Sequence, residues 1–590
     1  MNPAFVDYHT DPDGSTHDDL NGRMIVKTSV DGDSYITSVS VTATQCIDTR
    51  SRQLANLTKV FHRTYAIAVS SFLCSTLAWA VSCPVAPPHV TSEAESAFFH
   101  SDYDHAAELF SQALQAKPND PELTSGLIDV LLKQEKVADA DALIQNAIAS
   151  HPESPILQTS LGFVQYREGA PQLAAATAAK AMALNPCYPR LHLLEMQLWR
   201  LSSMFKAAAG ELRTAHLLDP SDPEIRVHWM NTLPIQQRIS ELETYLASPN
   251  GQTPDDLRRM RLYLESLKKS AAQPHKACQL VSSDVSTEIP FANLMRDGTH
   301  VRAFGLDVKL NDHSARLEID TGASGLLISR SVAKRAGLEA FADIEMGGIG
   351  SDGEKTGYSA YVDSIKIGKL EFHDCAVDVL DSRNVVGDDG LIGMDVFSNL
   401  LVTLDYPMRR LDLSPLPPRP TDTVAAKPSL ETSGTEAPGT GPHDRYIAPA
   451  MADWTRVYRL GHNLILPAAL NESKIKLFIM DTGAFTTSIS PEAAREVTKL
   501  HTEDSLTIRG ISGKVEKVYA ADHVTFRFAN LRQTANGAIA FDTSNISKHL
   551  GTEISGFIGI TTLEQLTVKI DYRDALVKFD YDPNRGYRPR

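Results

Sequence analysis

Two stretches of the sequence repeat one another: LEIDTGAS at residues 317–324 and FIMDTGAF at residues 478–485. In each stretch an apolar run ends in Asp-Thr-Gly-Ala, and a second apolar run follows. Asp320 and Asp481 occupy the same place in the two copies. Two close aspartates cannot both ionise at low cost, so such a pair can share one proton and activate a water molecule. The repeated stretch therefore predicts a site built on paired carboxylates.

The repetition continues beyond the aspartates in the same order. A Gly-rich segment begins 28 residues after Asp320, at Gly348, and 29 residues after Asp481, at Gly510. Two further pairs of segments match. GLIGMDVF at residues 390–397 corresponds to GFIGITTL at 556–563, and LVTLDY at 401–406 corresponds to TVKIDY at 567–572. These matches define an internal duplication of about 120 residues per copy, a period too long for a solenoid repeat.

Taken together, the motifs resemble those of the retropepsin-like aspartic proteases over residues 285–413 and 450–582. The resemblance implies one all-β domain per copy, which we place at 285–413 and 447–590. The two domains would form a pseudo-dimer within one chain. Each domain would contribute one catalytic aspartate, Asp320 or Asp481, and neither a metal nor a cofactor is expected.

The resemblance also assigns roles to the residues beside the aspartates. Thr321 and Thr482 would brace the two catalytic loops against each other through their hydroxyls. Gly322 and Gly483 would let the backbone turn tightly beside the carboxylates. The Gly-rich segments would be flaps that close over a peptide and expel water. The candidate flap residues are Gly348, Ile349, Gly350, Gly510, Ile511 and Gly513.

The sequence departs from the family in two respects. A retroviral-type domain often carries a charged residue after its apolar-apolar-Gly element, where this chain has Met394 and Ile560. We therefore expect the two halves to be held together differently. Each copy is also longer, with extra residues at 381–389 and 536–552 that could shape or block the cleft.

Upstream of the duplication, prolines and alanines recur every 34 residues. The repeated positions are Pro118, Pro152, Pro186 and Pro220, then Pro121, Pro155, Pro189 and Pro223, then Ala106, Ala140, Ala174 and Ala208. This period resembles the tetratricopeptide repeat (TPR), in which small residues let two helices approach closely. The pattern predicts an all-α solenoid with capping helices at 90–270. Such solenoids commonly bind protein partners.

The N-terminal part of the sequence raises a question of targeting. Residues 1–64 are polar, lack a helical period and are predicted to be a disordered tail. Residues 65–85 begin with an uncharged, mostly apolar run that basic residues precede, as in a signal peptide or a membrane anchor. Cys83 stands where a lipoprotein anchor could be attached, and a buried apolar helix is the alternative interpretation of the segment.

Composition limits the possible partners and compartments. The net charge of −16 argues against nucleic acid and anionic membrane surfaces as partners. The six cysteines show no motif spacing, and the sequence predicts no disulfide framework. Export without disulfides favours a bacterial envelope protein, either periplasmic or anchored to the membrane.

Residues 414–446 are rich in Pro, Thr, Ala, Gly and Ser and are predicted to be a flexible linker between the two protease domains. A tether of this length raises the local concentration of one half near the other to about the millimolar range, which favours pairing within the chain. Pairing of like halves between two chains, as an intermolecular homodimer, is the alternative.

The sequence thus predicts an aspartic endopeptidase in which Asp320 and Asp481 activate water, with a TPR module for protein–protein interaction. A non-catalytic TPR scaffold with degenerate protease domains is the alternative function. Both Asp-Thr-Gly motifs, both flap segments and both apolar-apolar-Gly elements are retained. This retention favours the enzyme, because loss of function would remove a catalytic aspartate early in at least one copy.

Overall fold

The protein is seen in a computed structural model that describes residues 24–30, 33–39, 83, 91–248, 253–273, 278–295, 301–351, 353–380, 389–420, 443–472, 474–503, 506 and 508–582. The chain divides into two compact units, residues 1–82 and 83–590. Within the described ranges, no helix combines the length and the apolar character that crossing a membrane requires.

In the first unit the structure describes two paired antiparallel strands, β1 (Met24–Val30) and β2 (Asp33–Val39). The prediction of a disordered tail at 1–64 did not include this hairpin, and the rest of that tail lies outside the described residues. The predicted signal peptide or anchor at 65–85 also lies outside them, except for Cys83. So does the central part of the predicted linker, residues 421–442.

A helical repeat fills the N-terminal part of the second unit. Its described helices are α1 (Glu93–Phe99), α2 (Tyr103–Ala116), α3 (Pro121–Lys133), α4 (Val137–Ser150), α5 (Pro155–Arg167), α6 (Pro171–Leu184), α7 (Pro189–Leu201), α8 (Phe205–Leu218), α9 (Pro223–Met230), α10 (Ile235–Ala247) and α11 (Pro254–Ala272).

The 34-residue period has a direct structural cause. Pro121, Pro155, Pro189 and Pro223 each occupy the first position of a helix, where the missing N–H group costs no hydrogen bond. The alanines of the repeat, Ala106, Ala140, Ala174 and Ala208, are almost fully buried where neighbouring helices meet. The repeat region confirms the predicted helical solenoid.

Two β-rich halves follow the solenoid. The strands of the first half are β3 (Gln279–Leu280), β4 (Thr287–Pro290), β5 (Ala292–Met295), β6 (Val301–Leu310), β7 (His313–Asp320), β8 (Leu326–Ser329), β9 (Ala342–Met346), β10 (Lys355–Ile367), β11 (Leu370–Leu380), β12 (Gly390–Gly393), β13 (Leu400–Asp405) and β14 (Arg410–Pro415). One short helix, α12 (Arg330–Arg335), follows β8.

The strands of the second half are β15 (Thr455–Arg456), β16 (Tyr458–Leu460), β17 (Asn463–Leu470), β18 (Lys474–Met480), β19 (Ser488–Ile489), β20 (Leu500–Thr502), β21 (Arg509–Gly510), β22 (Gly513–Lys514), β23 (Val518–Phe528), β24 (Leu531–Phe541), β25 (Gly556–Ile558), β26 (Thr567–Asp571) and β27 (Leu576–Asp580). Its short helices are α13 (Pro491–Arg495), α14 (Ser544–Leu550) and α15 (Ile560–Leu563).

The two halves have corresponding topologies. In the first half β12 pairs parallel with β7 and antiparallel with β8, and in the second half β25 pairs in the same way with β18 and β19. A six-stranded sheet joins the halves, because β13 pairs antiparallel with β26. One apolar core contains residues of both halves, from Cys278 to Phe579. The predicted fold class, a helical solenoid followed by two β domains, is confirmed.

Two disulfides correct the prediction that the chain lacks a disulfide framework. Cys83 is bonded to Cys187 in the solenoid, and Cys278 is bonded to Cys375 in β11. The partners lie 104 and 97 residues apart in the sequence, so no local spacing marks them. The bond at Cys83 also argues against a lipid anchor there, which was one of the alternatives left open, because its sulfur is already bonded to Cys187.

Candidate active site

The two Asp-Thr-Gly loops are joined by a mirrored set of hydrogen bonds. The backbone N–H of Thr321 donates to the hydroxyl of Thr482, and the N–H of Thr482 donates to the hydroxyl of Thr321, each over 3.0 Å. Each hydroxyl then donates to a carbonyl of the opposite strand, Thr321 to Met480 over 2.8 Å and Thr482 to Ile319 over 3.1 Å. The two threonines therefore fix the loops against each other.

This brace places Asp320 and Asp481 together. Their carboxyl groups are hydrogen-bonded to each other. The N–H of Gly322 donates to Asp320 over 2.8 Å, and the N–H of Gly483 donates to Asp481 over the same distance. The two carboxyl groups thus occupy matched positions in loops of the same design.

Steric crowding explains why glycine follows the Asp-Thr pair in both loops. A Cβ atom at Gly322 would lie 2.7 Å from Cγ of Asp481, and one at Gly483 would lie 2.6 Å from Cγ of Asp320. Each glycine thus packs against the carboxyl group of the opposite half. Any side chain at either position would push the two carboxyl groups apart.

The environment of the pair favours one shared proton. Burial, together with the negative charge of Asp481, raises the pKa of Asp320 well above its ordinary value. Burial also raises the pKa of Asp481, although the N–H groups of Ala484 and Gly483 oppose this. Two close carboxyl groups with such pKa shifts hold one proton between them over a range of pH.

The flap candidates of the two halves meet each other. The hydroxyl of Ser512 accepts from the N–H of Gly348 over 3.0 Å, and the N–H of Ser512 donates to the carbonyl of Ile349 over 3.0 Å. A Cβ atom at Gly350, whose φ is +126°, would lie 2.4 Å from the Ser512 backbone. The tips are therefore in contact, and only glycine fits at this crossing.

The remaining flap candidates complete this arrangement. Gly510 and Gly513 pair with each other at the ends of β21 and β22. Ile349 packs against an apolar cluster of the second half, and Ile511 packs against one of the first half. Each flap tip thus crosses to the opposite half, and all the predicted site residues belong to one assembly.

Sequence reasoning missed two residues that hold the first Asp-Thr-Gly loop. The buried carboxyl group of Asp395 accepts from the N–H of Gly325 over 3.0 Å and from the hydroxyl of Ser324 over 3.3 Å. Nε2 of His462, from the second half, donates to the carbonyl of Gly322 over 3.1 Å. Burial raises the pKa of Asp395 and lowers that of His462. The sequence did contain a signal for Asp395: an acidic residue follows Met394 in the first copy, whereas Thr561 stands at the matching position of the second copy.

The second loop is held without charge. The hydroxyl of Thr487 lies 2.5 Å from that of Thr562 and accepts from the N–H of Gly559 over 3.1 Å. In the related family a charged residue after the apolar-apolar-Gly element often holds the domains together. Here Met394 and Ile560 stand at those positions, and the contacts just described hold the two loops.

Comparisons with known proteins find two families in the sequence. A family described as aspartyl protease matches residues 306–396, which contain Asp320 and Asp395. The chain contains an aspartyl protease domain. A second family, described as tetratricopeptide repeat, matches residues 100–161.

Among solved structures, the chain is similar to a thermophilic TPR protein from Thermus thermophilus, with 25% sequence identity and a TM-score of 0.23. The similarity covers 29% of this chain and 92% of that one. The curated proteins include no match to the sequence.

The solenoid contacts both halves of the protease region. In the second half, the hydroxyl of Thr552 donates to the carbonyl of Tyr166 over 2.6 Å, and the N–H of Glu553 donates to the carbonyl of Arg167 over 2.9 Å. The second of the two extra segments, 536–552, therefore ends at the solenoid. A cavity of about 520 Å³ lies at this junction.

In the first half, the last solenoid helix contacts the flap. Arg258 of α11 is ion-paired with Glu345 and, over 3.2 Å, with Glu354. Arg259 lies 2.9 Å from Glu354. Both glutamates flank the flap tip, so the solenoid is attached to the first flap by charge.

Proposed function

We propose that the chain is an aspartic endopeptidase in which the two halves each supply one carboxyl group of a single catalytic centre. The observation that carries this proposal is the mirrored bracing of Thr321 and Thr482, with Asp320 and Asp481 hydrogen-bonded in between. A pair of buried carboxyl groups that shares one proton has both an acid and a base in place.

The reaction follows from these two states of charge. The ionised carboxylate takes a proton from a water molecule, which attacks the carbonyl carbon of the peptide bond. The protonated carboxyl group donates to the carbonyl oxygen, and the tetrahedral intermediate then collapses to release an amine and a carboxylic acid. The flaps, whose tips meet through Ile349 and Ser512, exclude bulk water from the centre.

The same geometry bears on the alternatives. In a non-catalytic scaffold nothing would maintain two carboxyl groups in contact, because their burial destabilises the fold once both are ionised. In a homodimer of like halves, Asp320 would pair with Asp320 of a second chain. The bonds between Thr321 and Thr482 support pairing within one chain.

We also propose that the protein is exported to an oxidising compartment, such as the periplasm or the envelope of a bacterium. The two disulfides support this, because disulfides persist in oxidising compartments and are rare in the cytosol. The solenoid is proposed to bind a protein partner or to recruit a protein substrate, as TPR repeats do in general. Mass spectrometry of the protein from the periplasm, with and without reduction, tests the export and the two bonds together.

The proposed activity is tested by incubating the purified full chain with a peptide library between pH 3 and pH 8. We expect internal cleavage that peaks at mildly acidic pH, where the pair holds one proton, and falls on both sides. The Asp320→Asn chain serves as the control for contaminating peptidases. Absence of cleavage at every pH, or cleavage that persists at the full rate in the control, would contradict the proposal.

A further inference from the structure

The strand that carries Asp320 has two faces of different character. Along β7 the side chains of Ala315, Leu317 and Ile319 are buried in the apolar core of the protease region. Successive side chains of a strand point to opposite faces. Glu318 therefore lies on the same face as Asp320, next to Leu391 of β12, which belongs to the apolar cluster that contacts the flap residue Ile511.

The matching strand of the second half is apolar on that face. Ile479 stands two residues before Asp481, as Glu318 stands two residues before Asp320. Ile479 belongs to an apolar cluster that also includes Ala484 and the flap residue Ile349. The two walls beside the catalytic pair thus differ at one matched position, where one half presents an isoleucine and the other a glutamate.

Glu318 is a buried carboxylate that is paired with a more exposed cation. Its residue is 6% exposed, and its Oε2 lies 2.9 Å from Nη2 of Arg302, whose side chain is 41% exposed. The charge of Glu318 also reaches the catalytic pair, because after burial it contributes to the raised pKa of Asp481. A fixed carboxylate therefore lies two residues from Asp320 on the same strand face, and its cationic partner reaches solvent.

We propose that Glu318 makes the substrate position on the first-half side of the scissile bond selective for a basic side chain. The preferred peptide then has an arginine or a lysine on that side and a large apolar residue on the other, against Ile479. This specificity rests on the proposed peptidase function of the site.

The physical basis is the cost of burying a carboxylate. An apolar side chain placed against the pair of Glu318 and Arg302 would remove water from the exposed arginine and offer the carboxylate no hydrogen bond in return. A guanidinium or ammonium group on the substrate would add a charge-assisted hydrogen bond, while the exposed head of Arg302 can shift towards solvent. Discrimination of this kind combines an attraction to the basic residue with a penalty on its apolar analogue.

The test compares peptides that differ at one position. Each pair carries either arginine or norleucine on one side of the scissile bond and phenylalanine on the other, in both orders. For one of the two orders we expect kcat/KM to be at least about tenfold higher with arginine. The Glu318→Gln and Glu318→Ile chains should lose this ratio, and Arg302→Gln should increase it, because a competing internal cation has been removed.

A matched control lies on the neighbouring strand. Asp307 of β6 is ion-paired over 2.7 Å with Arg316, which stands two residues before Glu318 on β7. Asp307→Asn should leave the preference for arginine unchanged. Equal rates with arginine and norleucine, a ratio that survives Glu318→Gln, or a preference for glutamate set by Arg302 would overturn the proposal.

Binding separates this proposal from that of catalysis. Fluorescence anisotropy with the full-length Asp320→Asn chain gives the dissociation constants of the same peptides without cleavage. Tighter binding of the arginine peptide, lost in Asp320→Asn/Glu318→Gln, would support the role of Glu318 even if no peptide were ever cleaved. Cleavage without the preference would overturn the role of Glu318 alone, and failure of every peptide to bind would overturn it as well.

Discussion

The two halves of the protease region are alike at the paired aspartates and unlike immediately around them. Asp320 and Asp481 accept the same glycine N–H groups over the same 2.8 Å, and the threonines beside them exchange equivalent bonds. Around this centre, the first loop is held by the carboxyl group of Asp395, whereas hydroxyls of threonines hold the second. From this difference we infer that sharing a proton requires matched carboxyl groups and matched threonine braces. The residues around them need not match.

The largest effect short of removing a carboxyl group is expected at the braces. Thr321→Val or Thr482→Val removes a hydroxyl that both accepts and donates a bond between the halves. Each change should lower kcat/KM by about a hundredfold, because the carboxyl groups lose their alignment. Each should also reduce the free energy of unfolding by about 1–3 kcal/mol, since a buried N–H loses its acceptor.

Steady-state kinetics and chemical denaturation measure both effects. Thr525→Val is the matched control, because Thr525 is a buried threonine in β23 whose hydroxyl bonds with that of Thr534 away from the catalytic pair. It should cost stability without comparable loss of activity. If Thr321→Val and Thr482→Val differed by more than about tenfold in kcat/KM, the symmetry of the centre would be refuted.

In the second half, the buried carboxyl group of Asp571 makes stability depend on pH. Asp571 of the joining sheet is fully buried, and one of its carboxyl oxygens has no hydrogen-bond partner among the described residues. Burial and the charge of Asp574 raise the pKa of Asp571 to about 7. The folded state thus holds this proton more tightly than the unfolded state does. The stability that results is fully present below about pH 4 and is lost as the pH rises to 7.

Denaturation curves between pH 4 and pH 8 test this dependence. The shift from 3.8 to about 7 corresponds to at most about 4 kcal/mol. Asp571→Asn should flatten the decline in stability, leaving the contributions of other buried carboxyl groups such as Asp129, whose pKa burial raises to about 6. Asp405→Asn changes the matching residue of the first half and is measured beside Asp571→Asn for comparison. An unchanged slope in Asp571→Asn would contradict the account.

The sequence predicts the parts of the molecule that depend on local chemistry. The Asp-Thr-Gly motif requires its glycine because a neighbouring carboxyl group fills the space of a Cβ atom, and the 34-residue period reflects helix starts at proline. His462 could not be found in this way, because its contact is with a backbone carbonyl 140 residues away. The disulfide partners are about as distant from one another, and spacing alone cannot pair them.

The smallest effect is expected at the flaps, where the halves differ in their attachment to the solenoid. Arg258 and Arg259 pair with Glu345 and Glu354 beside the first flap. The side chains of the two arginines are 41–45% exposed. Such pairs contribute about 0–1 kcal/mol each. Arg258→Ala/Arg259→Ala should therefore change kcat/KM by less than about fivefold. It should raise hydrogen exchange at residues 345–351 more than at 508–515.

Hydrogen exchange with mass spectrometry resolves the two flap segments. Arg532→Ala is the control, because Arg532 pairs with Glu472 on the surface of the second half. It should leave exchange at both flaps unchanged. An equal rise at both flaps in the double variant would show that the flaps open as one unit, contrary to the asymmetric attachment.

The central claim is that one chain contains one complete catalytic pair. The most direct measurement is the peptidase rate of the Asp320→Asn chain, of the Asp481→Asn chain and of an equimolar mixture of the two. We predict that each variant alone loses at least about 10³-fold in kcat and that the mixture is no more active than its components, because the pair acts as one unit. Substantial activity in either variant alone, or activity that returns on mixing, would show that the halves pair between chains.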